Sequence, residues 1–124
     1  MKLARAILFA KDMARMTSFY RDALGLPVVD ASTPSDWVTL DAGGVELALH
    51  AIPLEIASKI VIVDPPERRG ETPLKLVFFV ADIASTFERL VRHGVSMSEP
   101  RTFGTRTFCD GLDPEGNVFQ IANH

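Results

Sequence analysis

The chain has 124 residues, 47% hydrophobic and 23% charged, with a formal net charge of −3. That is enough apolar material for a packed core in one domain, and it excludes a disordered chain. The mild negative charge and the absence of a Lys/Arg run exclude a nucleic-acid-binding stripe, and a lone cysteine, Cys109, excludes an intrachain disulfide.

No apolar run reaches the ~18 residues of a membrane span. The opening MKLARAILFAKDM holds too short an apolar stretch for a secretory signal. We expect a cytoplasmic chain, complete as it stands, with neither nucleic acid nor membrane as a partner.

The first segment with a clear pattern is AILFAKDMARMTSFYRDALGL, residues 6–26. A short apolar run predicts a strand. Asp12 stands where a helix N-cap belongs, because its side chain can accept from a free N–H of the first turn. Met13, Met16, Tyr20 and Ala23 then recur at helical spacing, and Gly25 supplies a left-handed stop. An extended piece follows near residues 26–30. Residues 36–40, 41–44 and 45–49 read as strand, turn and strand.

The link, residues 51–73, is long for a compact domain. Pro53-Leu-Glu-Ile-Ala-Ser-Lys-Ile60 within it is suited to a short helix, and Asp64-Pro-Pro-Glu-Arg-Arg-Gly70 is a loop. We expect this link to cross a cavity mouth or a dimer edge, with the Arg68–Arg69 pair solvated.

The second patterned segment, LVFFVADIASTFERLVRHGV at residues 76–95, repeats the first. Asp82 is its cap and Gly94 its stop, and Ile83, Phe87, Leu90 and Val91 form its apolar stripe. An extended piece near residues 95–98, a strand over 105–109, a turn at Leu112-Asp-Pro-Glu-Gly116 and a strand over 118–122 complete it. Pro presets φ in that turn and Gly accepts φ > 0. The expected organisation is a first βαβββ half over residues 1–50, a linker over 51–73 and a second βαβββ half over 74–124. The fold class is α+β, with the two half-repeats forming an eight-stranded, incompletely closed barrel around a cavity.

Asp12…Phe19-Tyr20-Arg21-Asp22…Leu24-Gly25-Leu26 and Asp113-Pro-Glu-Gly-Asn117 resemble the D…FYrdvLGL segment and the DPdGn turn of the vicinal oxygen chelate (glyoxalase/bleomycin-resistance/dioxygenase) superfamily. Both occur in register, one per half, and the resemblance covers nearly the whole chain. It implies a fold that hosts many chemistries.

The resemblance also implies where a metal would sit. The family's metal enzymes hold one divalent ion on four strand positions, which here carry Arg5, Glu46, Lys75 and Gln120. Alternation along the strands sets Arg5, Ile7 and Phe9 on one face. It does the same for Glu46, Ala48 and His50, for Lys75, Val77 and Phe79, and for Gln120 and Ala122. Arg has no lone pair to offer and Lys would have to lose its proton, so a carboxylate and an amide remain, too few for a transition metal. We expect no metal and no cofactor.

An Arg5–Glu46 ion pair is the natural use of these charges, and it leaves Lys75 as the free cation. One reading is a structural ion-pair network. The sharper reading is a binding site for an anionic or carbonyl-bearing small molecule, with Phe9 and Phe79 as walls. Trp37, at the start of the third strand, could stack a planar ligand, although packing at the sheet edge is its commoner role. Glu46, His50 and His124 are the acid–base candidates if the protein is an enzyme. Cys109 reads as a buried inert thiol, and the face of Arg106 is left open.

Besides an interaction protein whose cavity is vestigial, two functions stay in view. One is a metal-independent, dimeric small-molecule binding module, for which the resemblance supplies the bleomycin-resistance proteins as precedent. The other is a divergent glyoxalase-like lyase, isomerase or dioxygenase with a shifted or degenerate site. In either case we expect a homodimer.

Overall fold

A computed structural model describes residues 1–31 and 36–124. The chain divides into two compact units, Met1–Val61 and Ile62–His124, so the stretch 51–73 is shared between them. No described helix is long and apolar enough to cross a membrane.

The first unit runs β1 (Arg5–Ala10), α1 (Met13–Ser18), a wider π-helical turn (Phe19–Ala23), β2 (Val28–Ala31), β3 (Trp37–Asp41), β4 (Glu46–Ala51) and α2 (Leu54–Ala57). Asp12 caps α1 as expected, its Oδ1 accepting from the Arg15 N–H at 2.9 Å. The helix widens after Ser18, where the Leu24 N–H reaches back to the Phe19 carbonyl at 3.2 Å. Met16, Tyr20 and Ala23 nevertheless stay buried together. Gly25, at φ 75°, turns the chain out of the helix.

The sheet order is β1-β4-β3-β2, with β1 and β4 parallel and the other neighbours antiparallel. Val38, Leu40, Leu47 and Leu49 are buried and share one face, with Ala10. The opposite face carries Arg5, Ile7, Phe9, Trp37, Thr39, Glu46, Ala48 and His50.

The second unit repeats the order with β5 (Leu76–Phe79), α3 (Ile83–Arg92), β6 (Arg101–Phe103), β7 (Arg106–Leu112) and β8 (Val118–Ala122). Its sheet order is β5-β8-β7-β6, with β5 and β8 parallel. Asp82 caps α3 through the Ser85 N–H at 3.0 Å. Ile83 and Leu90 are buried, whereas Val91, expected in the same stripe, lies 47% exposed.

Two strand assignments differ from the sequence reading. The edge strand sits at Arg101–Phe103, and the expected piece near residues 95–98 is a separate partner of β7. The Ser98 N–H donates to the Asp110 carbonyl at 2.8 Å, and the Leu112 N–H to the Ser96 carbonyl at 3.0 Å. Pro100, which has no N–H to give a ladder, lies between the two pieces. β7 also continues to Leu112 rather than ending at Cys109. Gly111 permits this passage: a Cβ there would stand 2.4 Å from the Phe119 ring and 2.5 Å from the Met97 sulfur.

The Asp113–Asn117 turn explains its own sequence. Asp113 is fully buried, and its Oδ1 accepts from the Glu115 and Asn117 N–H groups at 2.9 and 3.0 Å. The Asn117 amide donates to Oδ2 at 2.8 Å. Gly116 takes φ 82°, and a Cβ on it would meet the Glu67 carbonyl oxygen at 2.1 Å. The loop ahead of β5 is thereby pinned to this turn. The Arg69 N–H donates to the Gly116 carbonyl at 3.1 Å and its Nε to the Glu115 carbonyl at 3.0 Å. Arg69 is therefore an anchoring side chain as well as an exposed one.

Candidate functional site

In the first unit the parallel register sets Arg5 beside Glu46 and Phe9 beside His50, and the β3–β4 register sets Trp37 beside His50. These five predicted residues form one continuous face. The Arg5 Nε donates to Glu46 Oε2 at 2.7 Å, and a terminal guanidinium nitrogen reaches the same oxygen at 2.5 Å. Arg5 therefore spends two nitrogens on one oxygen and keeps further N–H donors. Its guanidinium carbon also lies 5.4 Å from the Trp37 ring centroid, within cation–π range.

The His50 ring sits 5.6 Å from Phe9 and 5.2 Å from Trp37. The Trp37 Nε1–H donates to Thr39 Oγ1 at 2.9 Å, which fixes the plane of the indole. The result is an aromatic strip of Phe9, His50 and Trp37, ending at a guanidinium. Phe9 is 59% exposed, and both side chains of the Arg5–Glu46 pair are 43% exposed. The pair is thus formed as expected but is not buried. Glu46 and His50 are four residues apart on a strand, about 13 Å, too far to share a proton.

The second unit departs from expectation at Lys75. Its ammonium is not a free charge: Nζ lies 3.1 and 3.0 Å from the two oxygens of Asp110. The Gln120 amide, 7% exposed, donates to Asp110 Oδ1 at 2.9 Å. Asp110 is the member of this cluster that sequence reasoning missed. With β7 ended at Cys109, it fell outside the strand, although Asp110 and Gln120 are antiparallel partners. Burial pushes the Asp110 carboxyl up, but hydrogen bonds from Gln120 and Lys75 and the charges of Lys75 and Arg68 outweigh it. Its pKa is held below the usual carboxylate range.

Arg106, whose face the alternation left open, lies over the Phe108 ring at 5.7 Å, and Phe108 stacks with Phe103 at 6.0 Å. Phe79 is 73% exposed. The His124 Nε2 lies 3.0 Å from the Thr105 carbonyl oxygen at the β6–β7 turn, so its contact is with backbone rather than with Gln120. Cys109 is buried; burial foremost, then the charges of Asp110 and Glu99, pushes its thiol up to about 11, which makes it a poor nucleophile at neutral pH.

The four positions that the family uses for a divalent ion do not fit one here. A guanidinium occupies Glu46 in the first unit, and an ammonium and a primary amide share Asp110 in the second. Neither cation has a lone pair to give in these pairs. Among the described residues no three His, Cys, Asp or Glu side chains gather where they would hold an ion.

Comparison with known proteins agrees with this architecture. The family model for the Glyoxalase/Bleomycin resistance protein/Dioxygenase superfamily matches residues 2–121. YraH of Bacillus subtilis (strain 168) is 27% identical over 126 residues, covering 98% of this chain and 97% of its own. The crystal structure of UcmS2 superposes with a TM-score of 0.77 at 23% identity, over 100% of this chain and 98% of its own. FosX, the fosfomycin resistance protein of Listeria monocytogenes, superposes at 0.75 with 16% identity, over 98% and 92%. At such identities the solved structures speak for the fold alone. The duplicated βαβββ units, the Asp113–Asn117 turn and the family match together place the chain in the Glyoxalase/Bleomycin resistance protein/Dioxygenase superfamily.

Proposed function

We propose that the protein is a metal-independent binding module for a small, planar, partly apolar molecule carrying a carboxylate or carbonyl. The site is the first unit's sheet face. The observation that carries this reading is the strip of Phe9, His50 and Trp37 ending at Arg5, whose guanidinium retains N–H donors beyond its bond to Glu46. A few placed polar groups beside apolar walls orient a ligand, and guanidinium N–H groups suit a carboxylate.

Trp37 is the one tryptophan of the chain, so its emission reports on the site directly. Titration with aryl carboxylates should change that emission saturably, and the matching neutral amides should bind more weakly. Arg5→Met should erase the preference for the carboxylate. Unchanged emission with every aryl acid tested would refute the reading.

Two further proposals concern the protein's setting. The exposed Val77 and Phe79 on the second unit's sheet are covered by a second copy of the chain, which leaves the first unit's face to the ligand. Light scattering should give about 27 kDa, twice 13.6 kDa, and a mass of one chain would contradict it. The single free, buried thiol of Cys109 suits the reducing cytoplasm.

A further inference from the structure

Arg68 and Arg69 are adjacent and have opposite roles. Arg69 is bonded to the Asp113–Asn117 turn through its backbone and its side chain. That anchor holds Arg68 at the rim of an open pocket of about 160 Å³ in the second unit, together with Ser96, Ser98, Asp110, Leu112 and Val118. Among the described residues no hydrogen-bond acceptor engages the Arg68 guanidinium. Ser98 Oγ accepts from the Asp110 N–H at 3.0 Å, which leaves the hydroxyl proton to donate elsewhere. The Ser96 hydroxyl is likewise uncommitted among the described residues.

The charges favour an anion. Asp110 contributes one negative charge, but Lys75, from outside the pocket lining, is bonded to it at 3.0 Å, so the group of Arg68, Lys75 and Asp110 carries one net positive charge. The floor is apolar, made by Leu112 and Val118. A bare inorganic anion would gain nothing from such a floor, whereas an anion carrying a short alkyl group would bury it there.

We propose that this pocket is a binding site of the second unit, built from residues other than those of the aromatic strip, for a short aliphatic carboxylate. Arg68 and the Ser96 and Ser98 hydroxyls hold the carboxylate, and Leu112 and Val118 receive the alkyl group. The volume, about 160 Å³, is ample for a carboxylate with a few carbons, and the apolar floor favours an alkyl group over a bare anion.

The test uses the full, isotope-labelled chain and follows the Ser96, Ser98 and Gly111 amide resonances during titration with propionate, propionamide and inorganic phosphate. Propionate should give saturable shifts in the millimolar range, with propionamide and phosphate weaker by about tenfold or more. Arg68→Gln should weaken propionate by about tenfold or more, and Arg5→Gln should leave it unchanged. The proposal falls if propionate shifts do not saturate, if Arg68→Gln binds like the parent, or if phosphate binds as well as propionate. It also falls if Arg5→Gln abolishes the shifts, which would assign the acid to the aromatic strip.

Discussion

The two units share a chain order and a strand order, yet they dispose of their charges differently. In the first, Arg5 pairs with Glu46 on the neighbouring strand of the parallel pair β1–β4, and the pair stays half exposed beside an indole. In the second, Lys75 at the matching place reaches past β8 to Asp110 on β7, and a buried amide joins them. A duplicated backbone thus fixes where a cation emerges and leaves its partner to whichever strand carries the acid. At these matching places the first unit keeps donors available beside an aromatic surface, while in the second Lys75, Asp110 and Gln120 satisfy one another.

The comparison is sharpest at the turns before the last strands. Gly116 combines φ 82° with a Cβ position 2.1 Å from the Glu67 carbonyl oxygen, while Gly43, at φ 76°, faces open space. Gly116→Ala should therefore cost about 3 kcal/mol or more, the sum of a left-handed penalty and a backbone clash. Gly43→Ala should cost only about 1–2 kcal/mol, the left-handed penalty alone. Denaturant unfolding of both variants checks the contrast, and equal losses would break it.

The acids come next. Asp110→Ala removes the acceptor of a buried amide and should destabilise by about 1–3 kcal/mol. Glu46→Ala breaks a half-exposed pair and should cost about 0–1 kcal/mol. For the same reason Arg5→Met should leave the melting temperature nearly unchanged, although a buried pair would have predicted a large loss. A large loss for either first-unit variant would show that its pair bears on folding as the second unit's does.

The smallest effect is in the pH dependence. The folded Asp110 carboxyl titrates below its unfolded value of about 3.9. Its stabilising contribution is complete above that value and is lost as pH falls through the lower, folded one. The melting-temperature gap between the parent and Asp110→Asn should be constant from neutral pH down to about 5 and shrink below about 4. A gap that widened on acidification would contradict this assignment.

Most of the fold was legible because it is written in local chemistry. Asp12 and Asp82 cap helices, Gly25 and Gly94 end them, and Asp113 and Gly116 build a turn whose hydrogen bonds need those side chains. Strand alternation also grouped Arg5 with Phe9 and Glu46 with His50, and the strand registers bring these pairs and Trp37 to one face. Asp110 was hidden because its role depends on how far β7 runs. That length rests on Gly111 passing between Met97 and the Phe119 ring, a tertiary fit with no periodic signature. Arg68 and Arg69 look alike in sequence, and only the docking of Arg69 on Glu115 and Gly116 separates them.

The proposed binding of a planar carboxylate by the aromatic strip and Arg5 involves no metal between them. The most direct measurement is the Trp37 emission titration with an aryl carboxylate, run in excess chelator and again with added zinc, nickel or manganese. The account predicts one affinity under all these conditions, and loss of the carboxylate preference in Arg5→Met. Binding that appears only with a metal, or that survives unchanged in Arg5→Met, would contradict it.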